Sequence, residues 1–226
     1  MRDITLEELL SAGCHFGHQV NRQNPKAREF IFEARNGIHI IDLAKTKEGL
    51  EKAAAFVKEL ASQGGTIIFI GTKRQAKSII REDAKKSGVF YVDERWVGGT
   101  LTNFEELAKN FKKLKDFRAR LADKEEVAKY TKREVGLWHK EMLSLERFYG
   151  GIESMEKIPD ALFIVDTHLE EGAVKEALKM GVKTVGIVDT NADPFMIDYP
   201  IPANDDAVGS IKLIIDYITD AWIEGA

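Results

Sequence analysis

The stretch PDALFIVDTHLEEGAVKEALKMGVKTVGIVDT, from Pro159 to Thr190, decides the fold. Ala161 to Val165 and Thr184 to Val188 are short, continuous apolar runs rich in branched side chains, and a helical pattern over 168–180 lies between them. A strand, a helix and a second strand joined by short loops specify parallel pairing, with both faces of the sheet covered. The same unit recurs outward in both directions. Upstream lie the runs Thr66 to Ile70 and Val89 to Val92, with helical patterns over 45–62 and 73–87; downstream lie the brief run Tyr199 to Ile201 and a pattern over 206–223. Five strands alternating with helices predict a doubly wound, three-layer α/β/α sandwich around a parallel five-stranded sheet. The segment Gly13 to Ile41 is less regular, with His15, His18 and His39 and several cations among turn formers.

The alternation is interrupted after the second strand. Between Gly98-Gly99 and Gly150-Gly151, Phe104, Leu107, Phe111, Leu114, Phe117 and Leu121 recur at helical spacing, as do Val135, Trp138, Met142, Leu145 and Tyr149. Each series is one apolar seam, so residues 103–149 are expected to form an inserted antiparallel coiled-coil hairpin protruding from a globular α/β domain made of 1–102 and 150–226. Phe111 and Leu114 are expected to face Trp138 and Met142 across it. Asn103 with Glu106, and Thr131 with Glu134, have capping-box spacing and mark the two helix starts.

Charge is segregated along the 226 residues. Residues 1–102 carry 16 basic and 13 acidic side chains, 103–149 carry 12 and 9, and 150–226 carry 5 and 15, which adds up to the overall charge of -4. The last part repels polyanions, and its lack of arginine argues against nucleic acid lying along it. No run approaches the roughly 18 apolar residues that span a bilayer, and Thr5 to Leu10 open a helix pattern where a targeting segment would lie, so a cytoplasmic location is expected. Cys14 is the lone cysteine, which excludes an internal disulfide and a cysteine-based zinc site and suits a small buried hydrophobe.

Cations supply the candidate RNA-binding residues. Lys109, Lys112, Lys113, Lys115, Arg118 and Arg120 crowd the first arm with a single acid, Asp116, among them, and the four lysines are the candidate contacts. Arg22, Lys26, Arg28 and Arg35 form a second patch. Lys73 and Arg74 follow a strand and open a helix, where free amides favour a phosphate, although the loop lacks the glycines of a nucleotide-binding motif. Arg95 and Trp96 offer a cation and a stacking surface, or else Trp96 packs the base of the hairpin into the core. At the strand ends, Asp189 and Asp205 with His18 would surround a divalent ion, zinc or magnesium. An alternative is a metal-dependent hydrolase using Asp166, Asp189 and Asp205. The plainest account is that Asp189, Asn191 and Asp193 only shape a turn and Asp205 or Asp206 caps the last helix.

Six stretches carry a family resemblance. LLSAGCHFGHQVNRQNPK (9–26), RNGIHIIDLAKT (35–46), GTKRQA (71–76), RWVGGTLTNF (95–104), PDALFIVDTHLEEGAVKEALKMGV (159–182) and IVDTNADPFMIDYPIPANDDA (187–207) together resemble the bacterial small-subunit ribosomal protein two family almost from end to end. The resemblance implies a flavodoxin-like sheet of order 2-1-3-4-5 with a protruding helical hairpin, and no catalytic activity. It implies docking between head and body of the small subunit, contacts to small-subunit ribosomal RNA and neighbouring proteins, and help in recruiting the large messenger-binding ribosomal protein. Gln23 stands where an aromatic commonly precedes Asn-Pro-Lys, and the chain stops at Ala226 without the tail of many members.

Overall fold

The structure, a computed structural model, describes residues 2–226. In chain order its elements are α1 (Leu6–Ser11), β1 (Phe16–Gln19), β2 (Ile31–Arg35), β3 (Ile38–Ile41), α2 (Leu43–Ser62), β4 (Ile67–Ile70), α3 (Lys77–Ser87), β5 (Phe90–Val92), α4 (Phe104–Ala122), α5 (Lys124–Ala128), α6 (Lys132–Tyr149), β6 (Ala161–Ile164), α7 (Glu171–Met180), β7 (Lys183–Val188), β8 (Tyr199–Pro202) and α8 (Val208–Gly225). The last five strands form one parallel sheet ordered β5-β4-β6-β7-β8, the 2-1-3-4-5 order of the resemblance.

Period-two alternation divides the sheet's side chains between two cores. Ile67, Phe69, Ala161, Phe163, Val185 and Ile187 point into one, closed by Leu9, Leu50, Ile80 and Ile214 from α1, α2, α3 and α8. Ile68, Ile70, Leu162 and Ile164 point into the other, closed by Val174 of α7 and by Leu107 and Phe111 of α4. The base of the helical insertion is therefore part of the body's second core.

Both edges of this sheet are closed. Along β8, Pro200 and Pro202 offer no amide. At β5 the Tyr91 amide donates to the Gly151 carbonyl, where the chain passes so close that a Cβ on Gly151 would strike the Tyr91 carbonyl oxygen. The second Gly-Gly pair thus permits a close backbone crossing.

The insertion forms two long helices, α4 and α6, that run antiparallel: Lys113 pairs with Glu141, Arg118 with Glu146 at 3.0 Å, and Phe111 meets Tyr149 edge-on at 5.9 Å. Leu107, Phe111, Leu114 and Phe117 are buried, while Val135, Trp138, Met142, Leu145 and Tyr149 are half-buried. Phe111 faces Tyr149 instead of Trp138, which lies farther out beside Tyr130 and Arg120. Nineteen residues of α4 rise about 28 Å at 1.5 Å per residue.

Thr131 and Glu134 form a capping box, but Asn103 makes no side-chain cap bond. The turn that leads into α4 is held instead by Glu176 of α7, whose carboxylate accepts from the amides of Gly99, Leu101 and Thr102 and from the Trp96 indole. Burial pushes the Glu176 carboxyl up, yet these donors outweigh it and hold it below the ordinary range.

Residues 13–41, expected to be irregular, contain a three-stranded antiparallel sheet, β1-β3-β2. Its β2–β3 turn is Asn36-Gly37 with φ of 51° and 79°, the two left-handed residues of a type I′ hairpin. α3 begins four residues later than expected, because Lys73 to Ala76 form a separate turn first.

Candidate functional site

Loops leaving four neighbouring strands gather charge at one edge of the parallel sheet. Lys73 follows β4, Asp166 follows β6, Asp189 follows β7, and Asp205 with Asp206 follows β8. The Lys73 ammonium lies 2.7 Å from Asp166, 2.7 Å from Asp205 and 2.8 Å from Asp206. Burial alone would lower its pKa, but the three carboxylates raise it above the usual lysine range. Asp205, 1% exposed, is pushed up to about 7 by burial and by the charges of Asp166 and Asp189, with Lys73 opposing.

β1 approaches this edge from the small sheet. Gly17 allows it: a Cβ there would come within 2.7 Å of the Thr190 side chain. The His18 amide donates to Thr190 Oγ1 at 2.9 Å, and the imidazole Nδ1 lies 3.1 Å from Asp189 Oδ1. That hydrogen bond raises the His18 pKa against burial. His18, Asp189 and Asp205 each present a donor atom within 4.8 Å of the others. Asp205 Oδ2 is buried with no hydrogen-bond partner among the described residues. His15, half-buried against Phe16, and buried His39 stand outside the cluster.

Two expectations need correction. Lys73 is not available to phosphate, since three carboxylates surround its ammonium. Trp96 is 7% exposed and donates its indole N–H to Glu176, so it packs the hairpin base and offers no stacking platform. The turn-shaping account holds in part: Asp193 accepts from the Phe195 amide, but Asn204, not Asp205 or Asp206, accepts the amides leading into α8. Asp166 is engaged by Lys73 and by the Leu169 amide. In open sheets of this topology, ligands enter where the strand order reverses, between β4 and β6 here. The Lys73–Asp166 pair spans that crevice, which leaves the hydrolase alternative without its first carboxylate.

The remaining cations lie on the surface. Arg22, Arg28, Arg35, Arg74 and Arg95 are exposed, and Lys26 pairs with Asp193 at 2.6 Å. On α4, Lys109 pairs with Glu106 at 2.6 Å and Lys113 with Glu141, whereas Lys112 and Lys115 are exposed and make no ion pair among the described residues. Phe32, 72% exposed on β2 between Arg28 and Arg35, went unread because only its neighbours carry charge. Glu176, and the pairing of Asp206 with Lys73, carry no sequence signal because the partners lie tens of residues away along the chain. No helix of the described residues is long and apolar enough to cross a membrane.

Comparisons with known proteins agree with this architecture. A family model described as ribosomal protein S2 matches residues 9–225. The small ribosomal subunit protein uS2 of Coprothermobacter proteolyticus is 48% identical over 225 residues, covering all of this chain and 84% of the relative.

Proposed function

The chain belongs to the ribosomal protein S2 family, and from that premise we propose how it is seated on the ribosome. It is a structural constituent of the small ribosomal subunit, not an enzyme, and it supports translation in the cytoplasm. It binds small-subunit ribosomal RNA between head and body through two surfaces, one around Arg22, Arg28 and Arg35 and one along the α4 face bearing Lys109, Lys112, Lys113 and Lys115. Arg74 and Arg95 add flanking contacts. The acidic part of the chain, residues 150–226, is left for neighbouring proteins, among them the large messenger-binding protein. Residues 103–149 act as a protruding coiled-coil arm on a flavodoxin-like body.

The observation that carries this reading is the uneven pairing of exposed cations: Arg22, Arg28, Arg35, Lys112 and Lys115 have no acidic partner among the described residues. Surface cations left unpaired in this way suit phosphates, and each phosphate contact adds about 0.9 to the slope of log affinity against log salt. Lys112→Gln with Lys115→Gln should therefore flatten the slope for binding to small-subunit RNA by about 1.8. An unchanged slope assigns that face to protein or solvent.

The reading extends to a cation at the strand ends. His18, Asp189 and Asp205 together hold a divalent ion, and the unpartnered Asp205 Oδ2 is what supports it. An imidazole ligand suits zinc better than magnesium, which favours oxygen and keeps its water. Elemental analysis of wild type against His18→Ala with Asp205→Ala tests this, and a wild type that retains no metal after dialysis against zinc refutes it.

A further inference from the structure

The second arm of the insertion carries a face that nothing in the fold uses. Val135, Trp138, Met142, Leu145 and Tyr149 are the half-buried seam of α6, which leaves Arg133, Gly136, Leu137, Lys140, Leu143 and Ser144 exposed on the side away from α4. Leu137 is 60% exposed and Leu143 51%. Glycine is among the poorest residues inside a helix. Yet Gly136 lies well within an 18-residue helix, has no positive φ, and has nothing within 4 Å of where a Cβ would be. Neither packing nor backbone conformation accounts for it.

The cations around it are unpaired. Lys132, Arg133 and Lys140 make no ion pair among the described residues. The nearby acids are engaged elsewhere: Glu134 accepts from Thr131, and Glu141 is paired with Lys113 on α4. Toward the body, Arg147 is neutralised by Glu94 at 2.7 Å, so the free charge lies in the outer half of the helix.

We propose that this outer face of α6, centred on Gly136, is a contact surface for ribosomal RNA. The glycine lets a sugar–phosphate backbone approach the helix closely, Leu137 and Leu143 cover riboses, and Arg133 and Lys140 meet phosphates on either side. Charge decides the occupant: an apolar patch alone would fit a protein, but cations without acids in reach fit a polyanion. The inference rests on the RNA-binding function proposed above and adds the arm opposite the α4 lysines.

The test uses the full-length chain and small subunits stripped of this protein by salt. Gly136→Gln improves helix propensity, so the variant should melt no lower than wild type while rebinding about tenfold more weakly. Arg133→Gln with Lys140→Gln should weaken rebinding and flatten its salt slope by about 1.8. Cys14 is buried and is the sole cysteine. Ser144→Cys therefore accepts a tethered iron chelate selectively and should direct radical cleavage of the RNA from this face. If Gly136→Gln rebinds like wild type, or the tethered iron leaves the RNA intact in rebound subunits, the face meets protein or solvent and the inference falls, while the proposed function stands. If wild type itself fails to rebind, both fall.

Discussion

Lys73 and Lys112 are the same side chain put to opposite uses. At the sheet edge the Lys73 ammonium, 15% exposed, has three carboxylates within 2.8 Å. On α4 the Lys112 side chain is exposed and unpaired. A cation already answered by the fold stabilises the fold, and one left unanswered is available to a polyanion. Counting cations along a sequence cannot separate the two cases. The formal charge of the loop after β4 suggested a phosphate site, but the structure turns Lys73 inward and leaves only Arg74 exposed.

The largest effect that would break this contrast is at Lys73. Lys73→Met leaves Asp166 and Asp205 buried without their cation, and removing one partner of a buried pair costs about 3–5 kcal/mol. Urea unfolding should show it, whereas the Lys112→Gln change should stay within about 0.5 kcal/mol. Equal, small effects at both positions would mean that the Lys73 cluster is solvated and the contrast false.

A smaller effect lies in pH, measured with a chelator present. The Asp205 carboxyl sits at about 7 in the folded chain, against about 3.9 unfolded. The folded state thus binds the extra proton between these values, and the group's contribution to stability declines as pH rises from about 4 to 7. His18, raised above its ordinary value, adds a contribution present below about 6.5 that is lost as pH rises through its folded pKa. His18→Gln with Asp205→Asn should remove most of that decline. The exposed α4 cations should leave it unchanged. A wild type whose stability is flat from pH 5 to 8 contradicts the assignment.

The smallest effect sharpens the contrast from the acidic side. Glu176, like Lys73, is committed to internal partners. Glu176→Gln keeps the shape but loses the charge that holds the amides of Gly99, Leu101 and Thr102, a loss of about 1–2 kcal/mol. Hydrogen exchange at those amides should quicken before exchange in β4. If exchange at all sites stays as in wild type, the carboxylate is not what anchors the insertion.

Much of this was legible in the sequence, for physical reasons that differ by region. The five parallel strands are apolar on both faces, so their runs stand out whatever surrounds them, and the seams of α4 and α6 follow helical spacing. Asp189 and Asp205 are legible as neighbours because the ends of parallel strands share one edge, whereas His18 reaches that edge from β1 of the other sheet. The small sheet was not read: β2 is almost wholly exposed and so has no alternation to detect. Its one signal was Asn36-Gly37, whose left-handed turn fixes the β2–β3 pairing. Lys73 and Glu176 were unreadable because both roles depend on groups brought close only by folding, more than 70 residues away in sequence.

The two closed edges of the parallel sheet bear on the chain's life before it reaches a ribosome. An open edge strand is a template for another copy, and stacking of copies through backbone pairing is the usual route from surplus protein to insoluble aggregate. Here Pro200 and Pro202 deprive β8 of amides, and the Gly151 carbonyl occupies the Tyr91 amide on β5. A chain made in excess is thereby denied polymerisation through this sheet.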